Sequence, residues 1–344
     1  MVAEPLVSRA KSVLVLAHFF GPESRWIDDF CQASDLTFKK VPYPKRATSW
    51  HQRGATTPLR EWLDHIGYVS IAMKDRPDCV ITCFPQLTLV AAAYLKLTGQ
   101  SRTRLIAWNF NLGSLTPPWK GRVAGRLLAR ADRFVVHASS EVASYAHWLR
   151  LPQHRFRFIP LQRGNIDHLE PSPIPKPYIV SMGSANRDYA TLMDAVIGTG
   201  IKTVIIAKKP IVDSLPEHPD LVKLHGLTLK ECNSILKHAH INVVPISETQ
   251  TASGQVTFLT AMRMGVPTVA TRSVGTIDYL CDNETGLLVP PGDPATLRSS
   301  ICALWNDDPY RLRIGSAGRA HAELRFSDEA AGAHLAQVIH EVFA

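Results

Sequence analysis

Ser253 to Gly292 reads SGQVTFLTAMRMGVPTVATRSVGTIDYLCDNETGLLVPPG, and the order of its signals decides the fold. The small-residue turn Ala252-Ser253-Gly254 runs into a segment whose Val256, Leu259, Met262 and Met264 fall near helical spacing. A loop therefore feeds a helix N-terminus. The first N–H groups of such a helix lack partners within it and carry a partial positive charge, so several donors meet an anion placed there. Gly265-Val266-Pro267 stops the helix, and the β-branched Thr268 to Thr271 reads as a buried parallel strand. Gly275-Thr276, a short helical piece to Leu280, and the turn Asp282 to Gly286 then lead into Leu287-Leu288-Val289.

These residues resemble the retaining nucleotide-sugar glycosyltransferases of the GT-B fold. The pattern of that family runs E-x7-E, A-M-A-x-G-x-P-V-V, G-G-x-x-E and G-x-x-G-L-L-V-P-P-G-D. Ala261-Met262, Gly265-x-Pro267-Thr268-Val269 and Gly286 to Asp293 match it in order and spacing. The two glutamates fall on Ala252 and Thr260, and neither supplies a carboxylate. In the family the first holds donor-sugar hydroxyls and the second the nucleotide ribose, so the resemblance implies that both contacts are replaced or lost. Glu248, four residues before Ala252, is the candidate replacement. Ser253, Gly254, Gln255, Val256, Thr257 and Thr260 are the candidate donor-binding residues of this variant loop.

The same half opens with Tyr178 to Met182, a strand, followed by Gly183-Ser184-Ala185-Asn186-Arg187. The family carries G-R-x-x-x-x-K-G here, with basic residues on the donor diphosphate. The resemblance assigns that role to Arg187, with Gly183 and Asn186 beside it and Ser184 replacing the first arginine. Lys208 follows the strand Lys202 to Ala207 and is the second candidate catalytic cation. Gly226 and Leu227, after the strand Val222 to Leu224, take the place where relatives hold the base.

The first half alternates strand and helix from the outset, with Ser12 to Phe20 a strand and the segment around Trp26 to Phe30 a helix. Further strands are predicted at Leu36 to Val41, Asp78 to Cys83, Arg104 to Trp108, Arg133 to His137 and Phe156 to Pro160. Ligands of such folds collect at the carboxyl ends of the strands. His18, Gly21, Asn109 and Asn111 lie there and are the candidate acceptor-binding residues; an amide is no general base, so both asparagines are assigned to binding. The stretch Pro42 to Pro58, with Lys45, Arg46, Trp50, His51 and Arg53, reads either as a grip for an anionic acceptor or as a solvated loop. Trp119 to Arg133 reads as a helix with Arg122, Arg126 and Arg130 in one stripe and Val123, Leu127 and Leu128 on another face. That stripe suits an anionic membrane surface, or simply a solvated face.

The 344 residues suggest two domains: 1–170, acceptor-binding, and 171–326, nucleotide-sugar-binding, with a helix over 327–344 crossing back to the first. The fold class expected is α/β, GT-B, two Rossmann-like doubly wound domains facing a cleft. Positive charge is concentrated in residues 1–170, where 23 Lys and Arg face 13 Asp and Glu. With no recognition motif beside it, that charge does not point to nucleic acid. No apolar run approaches the ~20 residues of a membrane-spanning helix, so a cytoplasmic protein is expected, peripheral on the inner membrane face if the arginine stripe binds lipid. Six scattered cysteines read as buried free thiols.

The resemblance implies sugar transfer from a nucleoside diphosphate sugar to a hydroxyl acceptor, a glycolipid or polysaccharide precursor, with retention of configuration and without metal or cofactor. A nucleotide-sugar epimerase and a non-catalytic scaffold of the same fold are the alternatives.

Overall fold

The computed structural model describes residues 9–21, 23–44, 57–113, 115, 117–166 and 169–344. Most of the basic aromatic stretch, 45–56, lies outside the described residues. The chain forms two compact units, Met1–Ile159 with Ala331–Ala344, and Pro160–Ala330.

The first unit is built on six parallel strands: β1 (Lys11–Leu16), β2 (Leu36–Lys40), β3 (Cys79–Cys83), β4 (Arg104–Trp108), β5 (Arg133–Val136) and β6 (Phe156–Phe158). Their order is β2-β1-β3-β4-β5-β6. Successive side chains of a strand point to opposite faces, and here both faces are covered, which is why the inner strands β1, β3 and β4 are largely apolar. Leu14 and Leu16 join one core with Tyr68, Leu87, Leu128 and Tyr145, from helices α1 (Leu59–Ala72), α2 (Pro85–Leu97), α3 (Pro118–Leu128) and α4 (Ser139–Leu149). Val13 and Val15 join the other, with Leu335, Val338, Ile339 and Val342 of the C-terminal helix, Asp328–Phe343.

Two expectations for this unit are corrected. The helix expected after Gly21 is a four-residue 3-10 turn, Ile27–Phe30. The sheet face that a longer helix would cover is taken by the C-terminal helix, whose Gly332 lies so close that a Cβ there would stand 2.4 Å from the Phe30 carbonyl oxygen.

The second correction concerns α3, which ends at Leu128, so Arg130 is not part of its stripe. The Arg130 guanidinium donates to the carbonyls of Gln100 and Thr103 instead. The buried face of α3 is Gly121, Gly125 and Leu128. A Cβ would stand 2.3 Å from the Trp148 carbonyl oxygen at Gly121 and 2.0 Å from that of Leu149 at Gly125, so the two glycines bring α3 against α4 backbone to backbone. Val123 and Leu127 are thereby turned outward, 54% and 37% exposed, beside Trp119 at 61%.

The second unit has strands β7 (Ile179–Met182), β8 (Thr203–Ile206), β9 (Leu221–Leu224), β10 (Ile241–Val244), β11 (Thr268–Thr271) and β12 (Leu287–Val289), all parallel, in the order β12-β11-β10-β7-β8-β9. Helices α5 (Tyr189–Val196), α6 (Lys209–Asp213), α7 (Leu229–His238) and α8 (Gln255–Arg263) connect successive strands from β7 to β11, and α9 (Pro294–Asn306) and α10 (Asp308–Arg325) follow β12. Chain direction across the sheet reverses between β7 and β10, the place where open α/β sheets leave a crevice at their carboxyl edge.

The division between units falls at 159/160, not at 170/171. The segment after Ile159 is bonded into the second unit, with Leu161 N–H donating to the Tyr279 hydroxyl at 2.9 Å and Arg163 N–H to the Phe326 carbonyl at 2.7 Å. The architecture is α/β with two Rossmann-like sheets, as the sequence implied.

Candidate functional site

In the second unit the loops after β7 and β10 meet at the reversal point. Asn186 takes a left-handed backbone, φ +53°, and its carbonyl accepts from Ser247 N–H at 3.1 Å, while Arg187 and Ile246 form an isolated bridge. These ties bring the Arg187 guanidinium beneath the N-terminus of α8. Its Nε donates to the Met182 carbonyl at 3.0 Å, Nη1 to the Ala185 carbonyl at 2.8 Å and Nη2 to Thr257 Oγ1 at 3.3 Å. Three of five N–H donors are so used, which leaves two for a ligand. Burial holds its pKa below the ordinary arginine value, yet guanidinium remains charged at any working pH.

Two glycines shape this corner, the first by making room for the cation and the second by packing on the neighbouring strand. A Cβ at Gly183 would lie 2.6 Å from Arg187 Nη2. At Gly254, the N-cap of α8 with φ +83°, it would lie 2.8 Å from Val244 Cγ1. The left-handed N-cap sets the opening angle of α8, and its carbonyl accepts from Thr257 N–H at 2.9 Å and Phe258 N–H at 3.1 Å, while the N–H groups before them have no acceptor within the helix. Cation and helix terminus thus converge on one spot, an arrangement suited to a phosphate. Ser253 Oγ, buried there, has no hydrogen-bond partner. Tyr189 donates to the Gly183 carbonyl at 2.6 Å and burial pushes its phenol up to about 12, so it stays a neutral donor that fixes the loop.

The other expected donor residues are distributed less uniformly. Lys208 starts α6, its N–H donating to Ser184 Oγ at 2.8 Å and its side chain exposed at the end of β8. Gly226, φ +72°, and half-buried Leu227 follow β9. Glu248 turns onto its own loop, Oε1 accepting from Gln250 N–H at 2.7 Å. Gln255 is buried and reaches the Tyr279 hydroxyl at 3.3 Å, so its side chain supports α8 from within. Thr260 is 2% exposed and gives its hydroxyl proton to the Val256 carbonyl at 2.6 Å, one turn back on its own helix. The positions of the two family glutamates, Ala252 and Thr260, are therefore both buried.

In the first unit His18 is buried, with its ring 4.8 Å from that of Phe84 and 6.4 Å from that of His65. Gly21 N–H donates to Ser24 Oγ at 2.7 Å. Asn111 closes its own turn, Oδ1 accepting from Gly113 N–H at 2.8 Å. Asn109, φ +51°, meets a residue that sequence reasoning left out of the site: His137, whose Nε2 lies 2.6 Å from the Asn109 side-chain amide and whose Nδ1 lies 2.7 Å from the Ile159 carbonyl. Burial pushes His137 down to about 4, so the ring is neutral and has one proton to give. The carbonyl can only accept, so Nδ1 carries that proton and Asn109 must donate its NH2 to Nε2, the two ends of an amide being interchangeable by a half-turn. A histidine closing a strand-end run was the available signal, and its partner, 28 residues away, was not readable.

Residues 186–307 match the family model described as glycosyl transferases group 1. The chain is 28% identical over 140 residues, 38% of its length, to the capsular polysaccharide biosynthesis glycosyltransferase CapM of Staphylococcus aureus, and the match spans 36% of that relative. Among solved structures, sucrose-phosphate synthase from Thermosynechococcus elongatus superposes with a TM-score of 0.68 at 16% identity, over 97% of this chain and 99% of that one. HepE of Anabaena in complex with UDP-glucose gives 0.67 at 14% identity, over 96% and 100%. The stretch from Asn186 to Asp307, which holds Arg187 and the opening of α8, is thus similar to the glycosyl transferases group 1 family, within a chain of GT-B architecture.

Proposed function

We propose that the chain transfers a sugar from a nucleoside diphosphate sugar to a hydroxyl acceptor. One observation carries this reading: the Arg187 guanidinium, in no ion pair among the described residues and with two N–H donors to spare, lies under the N-terminus of α8 at the reversal point of the second sheet. Positive charge there favours a departing diphosphate more than a bound ester, because charge grows on the phosphate as the glycosidic bond breaks. Lys208, at the end of β8, adds a second cation to the same edge of the sheet. The departing phosphate takes the proton of the incoming hydroxyl, which is the retaining course that the family resemblance implies, and the reading needs neither metal nor cofactor. HepE, of the same fold, was solved with UDP-glucose, and this supports a nucleoside diphosphate sugar as the donor class here. The likeness to CapM supports a polysaccharide precursor as acceptor, and a glycolipid is the other acceptor we consider. His18, Gly21, Asn109 and Asn111 are the residues assigned to it.

The test is binding followed by turnover. Thermal shift with uridine, guanosine and adenosine diphosphates should find one that raises the melting temperature. Arg187→Ala should weaken that nucleotide by about 10- to 100-fold, the worth of a charge-assisted pair of hydrogen bonds. Unchanged binding in the variant would sink the assignment. One observation favours a second reading, a binding protein without turnover: the buried Ala252 and Thr260 offer no carboxylate to the sugar. Nucleotide binding with no release of sugar from any donor would decide for it.

The outward face of α3, with Trp119, Val123 and Leu127 among Lys120, Arg122 and Arg126 and no acidic residue, is the surface we assign to an anionic membrane.

A further inference from the structure

At the opposite edge of the first sheet, where the strands begin, is a hollow of about 490 Å³ whose wall includes Arg130, Asp132, Arg133, His154, Arg155 and Glu341. Sequence explains the crowding. Arg104 opens β4, Arg133 opens β5, and Arg155 and Arg157 flank the first residue of β6, so parallel strands in register bring four arginines to one edge. Arg130 joins them from the turn after α3.

Two carboxylates serve this group. Asp132 lies 3.1 Å from Arg104 and 3.5 Å from Arg130, and Glu341 pairs with Arg157 and lies 3.6 Å from Arg133. Arg155 has carbonyl partners, Ala129 at 2.8 Å and Ala131 at 3.3 Å. Carbonyls satisfy N–H groups but cancel no charge, so the three guanidinium groups that line the hollow, Arg130, Arg133 and Arg155, exceed the carboxylates of Asp132 and Glu341 by one, and those two carboxylates are shared with Arg104 and Arg157 outside it. Arg133 Nε is buried with no acceptor, which native structures seldom tolerate. Guanidinium groups held partly out of water with surplus charge are stabilised by an anion that accepts several N–H bonds at once.

We propose that this hollow binds a phosphate group, that of a phosphorylated small molecule or of a lipid headgroup, held by Arg133 and Arg155. The volume exceeds that of phosphate alone and falls in the usual range for small-molecule sites. The site stands independently of sugar transfer, since it lies at the edge of the sheet away from Asn109 and His18 and entirely within the first unit.

The experiment uses the full chain carrying Arg187→Ala, to weaken phosphate capture in the second unit, and measures inorganic phosphate binding by calorimetry at low salt. Arg155→Gln should weaken it by about tenfold. Glu341→Gln, which removes a competing negative charge, should tighten it several-fold, an outcome that misfolding does not imitate. Tungstate soaked into crystals should give an anomalous peak between Arg133 and Arg155. Vesicles with phosphatidic acid, run beside inorganic phosphate on a chain that also carries Trp119→Ala and Val123→Ser so that α3 does not contribute, identify the source: capture by the vesicles alone, lost with Arg155→Gln, assigns a lipid headgroup, and binding of both assigns any phosphate monoester. Neither binding, or an affinity that Glu341→Gln fails to raise, overturns the proposal.

Discussion

His137 shows how one side chain couples burial to pH. Its folded-state pKa, about 4, lies below the ~6.5 of an unfolded histidine, so the unfolded chain binds the extra proton first. The stability contributed by the neutral ring is whole above about pH 6.5 and falls by about 1.4 kcal/mol per unit as pH drops toward 4. Urea unfolding at pH 7, 6 and 5 should therefore show a steeper loss for the wild type than for His137→Gln. Nearby carboxylates such as Glu141, which accepts from His137 N–H, titrate in both proteins and cancel in the difference. Equal slopes would mean that the ring is protonated in the fold. At this scale Arg187 was singled out by the family resemblance, which implies a cation after this strand and glycine. Thr260 and Gln255 were not, because whether a hydroxyl or amide faces ligand or interior depends on a neighbour such as Tyr279, distant in sequence.

Among the elements, α3 and α8 both depend on glycine, for different reasons. Gly254 is needed for its backbone angle, whereas Gly121 and Gly125 are needed for closeness. Periodicity alone would pack Val123 and Leu127 inward; the missing side chains of the glycines reverse that choice, since backbone contact with α4 buries the other face. The exposed stripe yields a prediction. The full chain should co-sediment with anionic vesicles, less so as salt rises, and Trp119→Ala with Val123→Ser should reduce binding by at least about tenfold, since each large apolar side chain buried contributes about 1.5–3 kcal/mol. Equal binding of the variant, or of neutral vesicles, would remove α3 from this role. The 3-10 turn at Ile27–Phe30 carries the complementary lesson: a local apolar cluster forms a helix only where a sheet face remains to be covered.

For the molecule as a whole, the end of the chain completes its beginning. Leu335, Val338, Ile339 and Val342 cover Val13, Val15, Ile81 and Ile106, and burying four such side chains contributes about 6–12 kcal/mol, comparable with the ~5–15 kcal/mol net stability of a domain. Truncation after Ala330 should therefore abolish cooperative unfolding of the first unit and expose dye-binding apolar surface. A truncated chain with an unchanged melting profile would contradict this account.

The alternation of strand and helix, the two sheets and the loop that opens α8 were determined by the sequence itself, since parallel strands buried on both faces appear as short apolar runs and turns as glycine and proline. Strand adjacency was decided only in three dimensions: β7 lies beside β10, although some sixty residues separate them, and that neighbourhood carries Arg187 to Thr257. The pairing of His137 with Asn109 and the gathering of arginines at the base of β4, β5 and β6 have the same origin. Local pattern encodes how a segment satisfies its own backbone, whereas side chains meet across a sheet according to the order in which its strands are laid down.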